Sequence, residues 1–250
     1  MGSALIIIDL QNDFLAPSAP FKVDSSSHDS LKSTLSVLVP EFRSLGGYII
    51  WVKSHYAKPS KGAVEEPVEP PILPLVPQSE EETIVEPLTQ HSMSSSASAM
   101  ANVQHLEWVI EGTHTGKKPC CQEGTFGAEL VSWSDTLRHP NDLVLIKTYF
   151  SAFKETNLEQ VLVDRDIGAL YFAGLLSNMC VLASSLTAVR LSAHNQQWDV
   201  NVLTNALAWR REQSHHKALE TLEGNGVQLV RSEVLTKPLA AVGGTQETIV

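Results

Sequence analysis

The stretch "GLLSNMCVLA" (174–183) places a cysteine, Cys180, between two apolar segments that predict different structures. The segment that ends at its glycine, "ALYFAG" (169–174), is a mostly apolar run, which is typical of a strand covered on both faces of a sheet. The segment that starts at the cysteine, "CVLASSLTAVRLSAHN" (180–195), has the composition and spacing of a helix. The thiol of Cys180 is therefore predicted to lie at a turn between a strand and a helix.

The same alternation of strands and helices continues on both sides of this turn. The runs "ALIIID" (4–9) and "YIIWVKS" (48–54) predict two more buried strands, and the segment between them (30–47) has helical spacing, with Pro40 predicted to kink it or divide it in two. Further strands are predicted at 142–147, 199–204 and 227–230, and further helices at 157–166 and 213–226. The pattern predicts an α/β fold, a three-layer sandwich in which a doubly wound, largely parallel β-sheet carries helices on both faces.

Composition and charge exclude several classes of protein. The net charge of −10 argues against nucleic acid or an anionic membrane as a partner. Two of the three cysteines, Cys120 and Cys121, are adjacent, so a disulfide framework is not expected; the pair is interpreted as structural or incidental, with metal binding or redox activity as alternatives. The apolar stretch 4–8 is too short for a signal peptide, and no run approaches the roughly 18 apolar residues of a membrane span. A cytoplasmic location is expected.

One long segment interrupts the pattern of strands and helices. Residues 57 to about 105 are rich in Pro, Glu and Ser and show little periodicity. Loops of this length within one domain are usually lids or disordered segments, and a solvated excursion and a lid or interface element both stay open. Because the sheet pattern resumes afterwards, the segment is interpreted as an insertion in a single domain that spans residues 1–250.

Three reactive side chains are predicted at the carboxyl ends of strands. Asp9 ends the first strand, Lys147 ends the strand at 142–147, and Cys180 opens the helix that follows "ALYFAG". Ligands of open parallel sheets bind at this edge. Each residue alone has an ordinary structural explanation, namely a loop contact for the carboxylate, solvation for the ammonium and packing for the thiol. The three together at one edge favour catalysis.

These groups fit nucleophilic catalysis by a thiol. A thiol attacks as the thiolate, and a helix N-terminus and a nearby ammonium both favour that anion. Asp9 would take the thiol proton and later pass it to a leaving group. Backbone N–H groups at the turn would stabilise a developing oxyanion, a contribution of roughly 3–4 kcal/mol per donor.

The segments that carry these side chains resemble those of a known family. "IIIDLQNDF" (6–14), "IKTYFSAF" (146–153) and "GLLSNMCV" (174–181), in this order, resemble the isochorismatase-like cysteine hydrolases, which include nicotinamidases, carbamoylsarcosine amidohydrolases and ureidoacrylate hydrolases. "EGTFGAEL" (123–130) and the segment 205–222 are also similar to that family. The resemblance covers nearly the whole chain outside 57–105.

The resemblance implies a role for each of these residues. Asp9, Lys147 and Cys180 would be the catalytic triad. A non-proline cis peptide would join Leu175 to Leu176, and the backbone N–H groups of Leu176 and Cys180 would form an oxyanion hole. Members of the family are commonly dimeric or tetrameric, so a homo-oligomer is expected.

Candidate pocket walls follow from the same motifs. Phe14, Tyr149 and Phe150 are the predicted substrate-binding side chains, with core packing as the alternative for each. Asn178 is predicted either to contact the substrate or to cap the helix.

The chain departs from nicotinamidases at their metal site. Those enzymes carry an Asp-x-His motif just after the second strand, where this chain has Ser54 and Tyr56 on either side of His55. The later histidines follow at no metal-like spacing: His91, His105 and His114. No metal and no other cofactor is therefore expected.

The predicted function is metal-independent hydrolysis of a small-molecule amide, ureide or carbamoyl C–N bond through a thioester on Cys180. One alternative is hydrolysis of the vinyl ether of isochorismate, for which protonation by Asp9 can suffice. A second alternative is a non-catalytic binding protein that has kept the fold. The expected partner in each case is a small molecule.

Overall fold

A computed structural model describes residues 1–55, 120–194 and 198–236. Within these residues six strands form one sheet: β1 (Gly2–Ile8), β2 (Tyr48–Ser54), β3 (Leu143–Lys147), β4 (Ile167–Gly174), β5 (Asp199–Leu207) and β6 (Gln228–Val230). Their order is β3-β2-β1-β4-β5-β6, and every neighbouring pair is parallel. The predicted α/β fold with a parallel sheet is confirmed. The predicted insertion at 57–105 lies outside the described residues, and the single-domain prediction is not tested.

Helices connect the strands. They are α1 (Asn12–Leu15), α2 (Ser25–Ser44), α3 (Ser132–Asp135), α4 (Leu158–Asp164), α5 (Leu182–His194), α6 (Glu212–Gly224) and α7 (Glu233–Thr236). A short 3₁₀ helix (Phe126–Ala128) and a π-helical turn (Ser177–Val181) complete the description. In the described part of the chain, no helix has the length and apolar character needed to cross a membrane.

Two hydrophobic layers lie on opposite faces of the sheet, as the apolar runs of the strands predict. Side chains alternate along β1, so that Ile6 and Ile8 join one layer while Leu5 and Ile7 join the other. The first layer is completed by residues of α4, α5 and α6, and the second mainly by α2. The sheet is therefore the middle layer of a three-layer sandwich.

The α2 helix differs from its prediction at both ends and in its interior. It begins at Ser25 because the Asp24 side chain accepts hydrogen bonds from the N–H groups of Ser26 (3.0 Å) and Ser27 (3.1 Å) and so caps it. It runs as one element to Ser44 with Pro40 inside, so the predicted division in two is wrong. Pro40 is exposed, where water can replace the hydrogen bond that proline cannot make.

The order of the strands places a crevice between β1 and β4. The chain builds outward from β1 to β2 and β3, then returns to the other side of β1 for β4, β5 and β6. Open α/β sheets bind ligands outside the carboxyl ends of the strands where the order reverses in this way. Asp9 directly follows β1, and the π-helical turn with Cys180 follows β4. Both lie at this crevice.

Candidate active site

Lys147 joins the two other motif residues. Its Nζ lies 3.1 Å from Asp9 Oδ2 and 3.2 Å from Cys180 Sγ, and it donates a third hydrogen bond of 2.6 Å to Ser54 Oγ. All three protons of the ammonium are therefore used. Lys147 and Asp9 are each only 1% exposed and Cys180 is 7% exposed. The structure thus brings together the three side chains that the strand ends predict.

Ser54 has a role that the sequence pattern did not reveal. Its hydroxyl donates to Asp9 Oδ1 at 3.0 Å while it accepts from Lys147. The backbone of Ser54 is fixed in turn by Gln11, whose side chain accepts from Ser54 N (2.9 Å) and donates to Ser54 O (2.8 Å). Ser54 stands where nicotinamidases carry a metal ligand, and here it forms a hydrogen-bond bridge between Asp9 and Lys147.

The backbone at Asp9 is held in an unusual conformation. Its φ is 58°, in the left-handed region that non-glycine residues seldom occupy. The surrounding structure fixes it, because Asp9 N donates to Val52 O (2.9 Å) and Gln11 N donates to Asp9 O (2.7 Å). Strained conformations of this kind cluster at functional sites. In this conformation the Asp9 carboxylate accepts a hydrogen bond from Lys147.

A glycine and a cis peptide precede the turn that carries Cys180. Gly174 ends β4 with φ at 108°, and a Cβ there would overlap the backbone of Ile8, so only glycine fits. The peptide bond between Leu175 and Leu176 is cis, as the resemblance implies. The N–H of Leu176 has no acceptor in the described part of the chain. This N–H is free to bind a ligand.

Contacts from neighbouring elements hold the turn in place. Ser177 Oγ lies 3.0 Å from Nδ1 of the buried His215 on α6. Ser184 Oγ donates to the carbonyl of Cys180 at 2.7 Å and accepts from Ala152 N at 2.9 Å. His215 is 38 residues from Ser177, and Ser184 links the turn to Ala152, which is 32 residues away, so contacts with distant segments hold the turn in place.

The electrostatic environment differs from the prediction for the thiol. Burial raises the pKa of Cys180, the Asp9 carboxylate raises it further, and Lys147 offsets only part of this increase. Burial disfavours the charge of Lys147, but Asp9 and Cys180 together outweigh it and raise the pKa of the ammonium. The ammonium favours the thiolate of Cys180, as the sequence predicts, but burial and the Asp9 carboxylate together disfavour it more strongly.

A small cavity opens onto the cluster. Its volume is about 120 Å³. The described residues that line it are Asp9, Phe14, Phe21, Ser54, Cys120, Phe150, Leu176, Met179, Cys180 and Arg210. The predicted walls Phe14 and Phe150 are among them, whereas Phe21, Met179 and Arg210 were not predicted. Arg210 lies in the segment 205–222, so the resemblance marked its region but not its role.

Two predicted substrate contacts lie elsewhere. Tyr149 does not line the cavity, and its hydroxyl donates to a Glu155 carboxylate oxygen at 2.8 Å. Asn178 does not line it either. Asn178 also lies inside the π-helical turn, which has Leu176 at its N-cap and no side-chain cap, so the predicted capping role is wrong.

Possible metal ligands lie away from the predicted position. Among the described residues, one group of three could hold a metal ion, formed by Asp13, Cys120 and Cys121. None of these three residues lies in the segment 54–56, where nicotinamidases carry their Asp-x-His metal motif. His55 is described, whereas Tyr56 and the later histidines up to His114 lie outside the described residues.

The fold and this site together define an isochorismatase-like α/β protein. The chain matches the model of the isochorismatase domain over residues 3–234, and it belongs to this family of hydrolases.

Known proteins with the same fold include several amidases. A curated relative, named a probable inactive nicotinamidase of Arabidopsis thaliana, is 26% identical over 227 residues, which cover 91% of each chain. The nicotinamidase PncA from Bacillus subtilis has a TM-score of 0.64 at 22% identity, covering 92% of this chain and 100% of its own. The N-carbamoylsarcosine amidase from Thermoplasma acidophilum has a TM-score of 0.59 at 16% identity, covering 93% and 98%.

Proposed function

We propose that this chain is a cysteine hydrolase that cleaves an amide, ureide or carbamoyl C–N bond of a small molecule through a thioester on Cys180. The observation that carries the proposal is the buried ammonium of Lys147, which contacts the Asp9 carboxylate at 3.1 Å and the Cys180 sulfur at 3.2 Å. A buried charge needs partners, and here the two partners of the ammonium, Asp9 and Cys180, both line a cavity, which is typical of a functional site.

The proposed reaction begins with the protonated thiol. Asp9 takes the proton from Cys180 as Sγ attacks the carbonyl carbon, and the oxyanion accepts hydrogen bonds from the N–H groups of Leu176 and Cys180. Asp9 then donates that proton to the leaving nitrogen as the C–N bond breaks, which leaves a thioester. A water molecule, deprotonated by Asp9, attacks the thioester and releases the acid and the thiol.

The raised pKa of Cys180 fits this sequence of steps. A thiol that keeps its proton at rest requires a base at the moment of attack, and Asp9 is placed to act as one. Lys147 then stabilises the thiolate that forms and holds the carboxylate in position. Ser54 holds the opposite oxygen of Asp9.

The cavity favours a small substrate that carries an anionic group. Its volume of about 120 Å³ is near the roughly 150 Å³ of a cavity that holds one benzene ring. Most of its wall is apolar, while Arg210 brings a positive charge that has no hydrogen bond or ion pair within the described residues. A carboxylate on the substrate would pair with this guanidinium.

Replacing Arg210 with glutamine is therefore expected to raise the KM for a carboxylate-bearing amide or ureide by about ten- to a hundredfold, with a smaller change in kcat. A neutral amide of the same size should be affected little. The matched control is Arg211→Gln, because Arg211 is the exposed neighbour that does not line the cavity. Equal effects of R210Q on both substrates would contradict the proposed carboxylate contact. Steady-state kinetics measures each case.

Two other functions compete with this proposal. Hydrolysis of a vinyl ether would need only the acid Asp9. The second is non-catalytic binding, and the name of the Arabidopsis relative, a probable inactive nicotinamidase, is consistent with it. Screening purified protein against a panel of small amides, ureides and isochorismate separates the three. No turnover of any of them, together with a Cys180 that a thiol-reactive probe labels no faster than a free thiol, would favour the binding protein.

Metal independence gives a further prediction. Prolonged treatment with a chelator is expected to leave hydrolysis unchanged. The proposed reaction uses Asp9, Lys147 and Cys180 without a metal ion, and Ser54 stands where nicotinamidases carry the first ligand of their metal. Activity before and after removal of the chelator measures this. A loss of activity that zinc or iron restores would contradict it and would indicate a metal in the reaction.

The expected homo-oligomer and cytoplasmic location stay predictions.

A further inference from the structure

Three side chains beside the cavity have no part in the proposed hydrolysis. Asp13 lies on α1, and Cys120 and Cys121 lie on the segment that packs against it. One potential ligand atom from each lies within 4.8 Å of the others. Both cysteines are buried, and Cys120 also lines the cavity. A carboxylate and two thiols therefore lie close together beside the cavity, although Asp13 and Cys121 are 108 residues apart in the sequence.

The two sulfurs have the separation that one tetrahedral ion requires. Cys120 Sγ and Cys121 Sγ lie 3.6 Å apart. Two thiolates that each lie about 2.3 Å from Zn²⁺ at the tetrahedral angle are about 3.8 Å apart. The observed separation is close to this value, and the carboxylate oxygen lies within 4.8 Å of both sulfurs.

The Asp13 carboxylate is held in place but is not neutralised. Its Oδ2 accepts a hydrogen bond of 2.6 Å from the N–H of Cys121. It packs against Gly127, where a Cβ would overlap the carboxylate. No cation pairs with Asp13 within the described residues. Among the described residues, a carboxylate is thus fixed beside two thiols and has no ion-pair partner.

We propose that Asp13, Cys120 and Cys121 form a binding site for one Zn²⁺ ion or a similar thiophilic divalent cation, with two thiolates and one carboxylate as ligands. Water completes the tetrahedral coordination. The site is distinct from the segment after β2, where nicotinamidases carry their metal motif and this chain has Ser54, and it takes no part in the hydrolysis at Cys180.

The protonation of the cysteines predicts how binding depends on pH. The hydrogen bond with Cys120 and burial both raise the pKa of Cys121, which disfavours its thiolate when no cation is present. Binding through two thiolates releases one proton from each thiol, so the affinity is expected to rise with pH, by up to about a hundredfold per pH unit when two protons are released. A site made of carboxylates alone would show almost no such dependence near neutral pH.

The test uses the full chain with Cys180→Ala, so that the third thiol cannot contribute. After chelation, with a non-thiol reductant present, Cd²⁺ is added while the ultraviolet absorption of the thiolate–cadmium bond is recorded. The expected result is saturation at one equivalent with the intensity of two thiolates, and reversal by Zn²⁺. Asp13→Asn is expected to weaken binding at least tenfold without changing that intensity. The matched control is Glu123→Gln, an exposed carboxylate near Cys121 that should change nothing.

Three outcomes would overturn the proposal. The first is a lack of charge-transfer absorption at one equivalent, and the second is an unchanged spectrum in the variant with both Cys120→Ser and Cys121→Ser. The third is an equal effect of the Asp13 and Glu123 substitutions, which would remove the carboxylate from the site. If a cysteine variant fails to fold, alkylation of the unaltered chain decides the matter. Zn²⁺ must then protect Cys120 and Cys121 together, as read by mass spectrometry, and reactivity unchanged by Zn²⁺ would exclude the site.

Discussion

Replacing Cys180 with serine is expected to lower amide hydrolysis by about 10³-fold or more. Burial and the Asp9 carboxylate raise the pKa of Cys180, so in the proposed mechanism Asp9 removes the thiol proton during attack. A carboxylate can assist the loss of a thiol proton, whose pKa is ordinarily about 8.5, but it is a poor base for a hydroxyl, which is a far weaker acid. Lys147, placed 3.2 Å from the sulfur, cannot close that difference.

Turnover of the best amide or ureide substrate, measured beside the unaltered protein, checks this result. Cys180→Ala is the matched control, since it removes the nucleophile altogether and should lose activity to at least the same extent. Circular dichroism of both variants shows whether the fold is kept. Near-normal turnover in the serine variant would contradict the thioester mechanism. It would favour vinyl-ether hydrolysis, in which the acid Asp9 is sufficient.

The fold and the position of the cluster could be predicted because both depend on local patterns. The apolar runs of β1, β2 and β4 fix buried parallel strands, and parallel strands bring the residues at their carboxyl ends to one edge. Asp9, Lys147 and Cys180 follow from that rule. The predicted division of the helix at Pro40 is wrong, because at an exposed position water can replace the backbone hydrogen bond that proline cannot donate.

Features that depend on contacts between distant segments could not be read from the sequence. Ser54 bridges Asp9 and Lys147 from a third strand, and Asp13 meets Cys121 across 108 positions. The pKa of Cys180 is a second example. The nearby ammonium lowers this pKa, but only the packing reveals that burial and the Asp9 carboxylate raise it by more.

Replacing Lys147 with methionine is expected to slow alkylation of Cys180 at neutral pH by at least about tenfold. Methionine keeps the apolar stem and removes the charge that lowers the pKa of the thiol. The Asp9 carboxylate would then face the thiolate without a cation between them, so that one of the two anions must keep a proton. Each unit by which the thiol pKa rises lowers the thiolate fraction at neutral pH about tenfold. Alkylation rates measured against pH in both proteins test this.

The same variant also tests how the buried charges stabilise one another. Lys147 is 1% exposed, so its replacement by methionine leaves Asp9 as an unpaired buried charge, which is expected to cost about 3–5 kcal/mol of stability. The variant that combines Lys147→Met with Asp9→Asn removes both charges and should be more stable in urea than Lys147→Met alone. Its thiol no longer faces a carboxylate, so alkylation of Cys180 should recover part of its rate. Superimposable alkylation curves for the unaltered chain and Lys147→Met would show that the ammonium does not act on the thiol. The role proposed for Lys147, to stabilise the thiolate of Cys180, would then be contradicted, and so would the proposed mechanism.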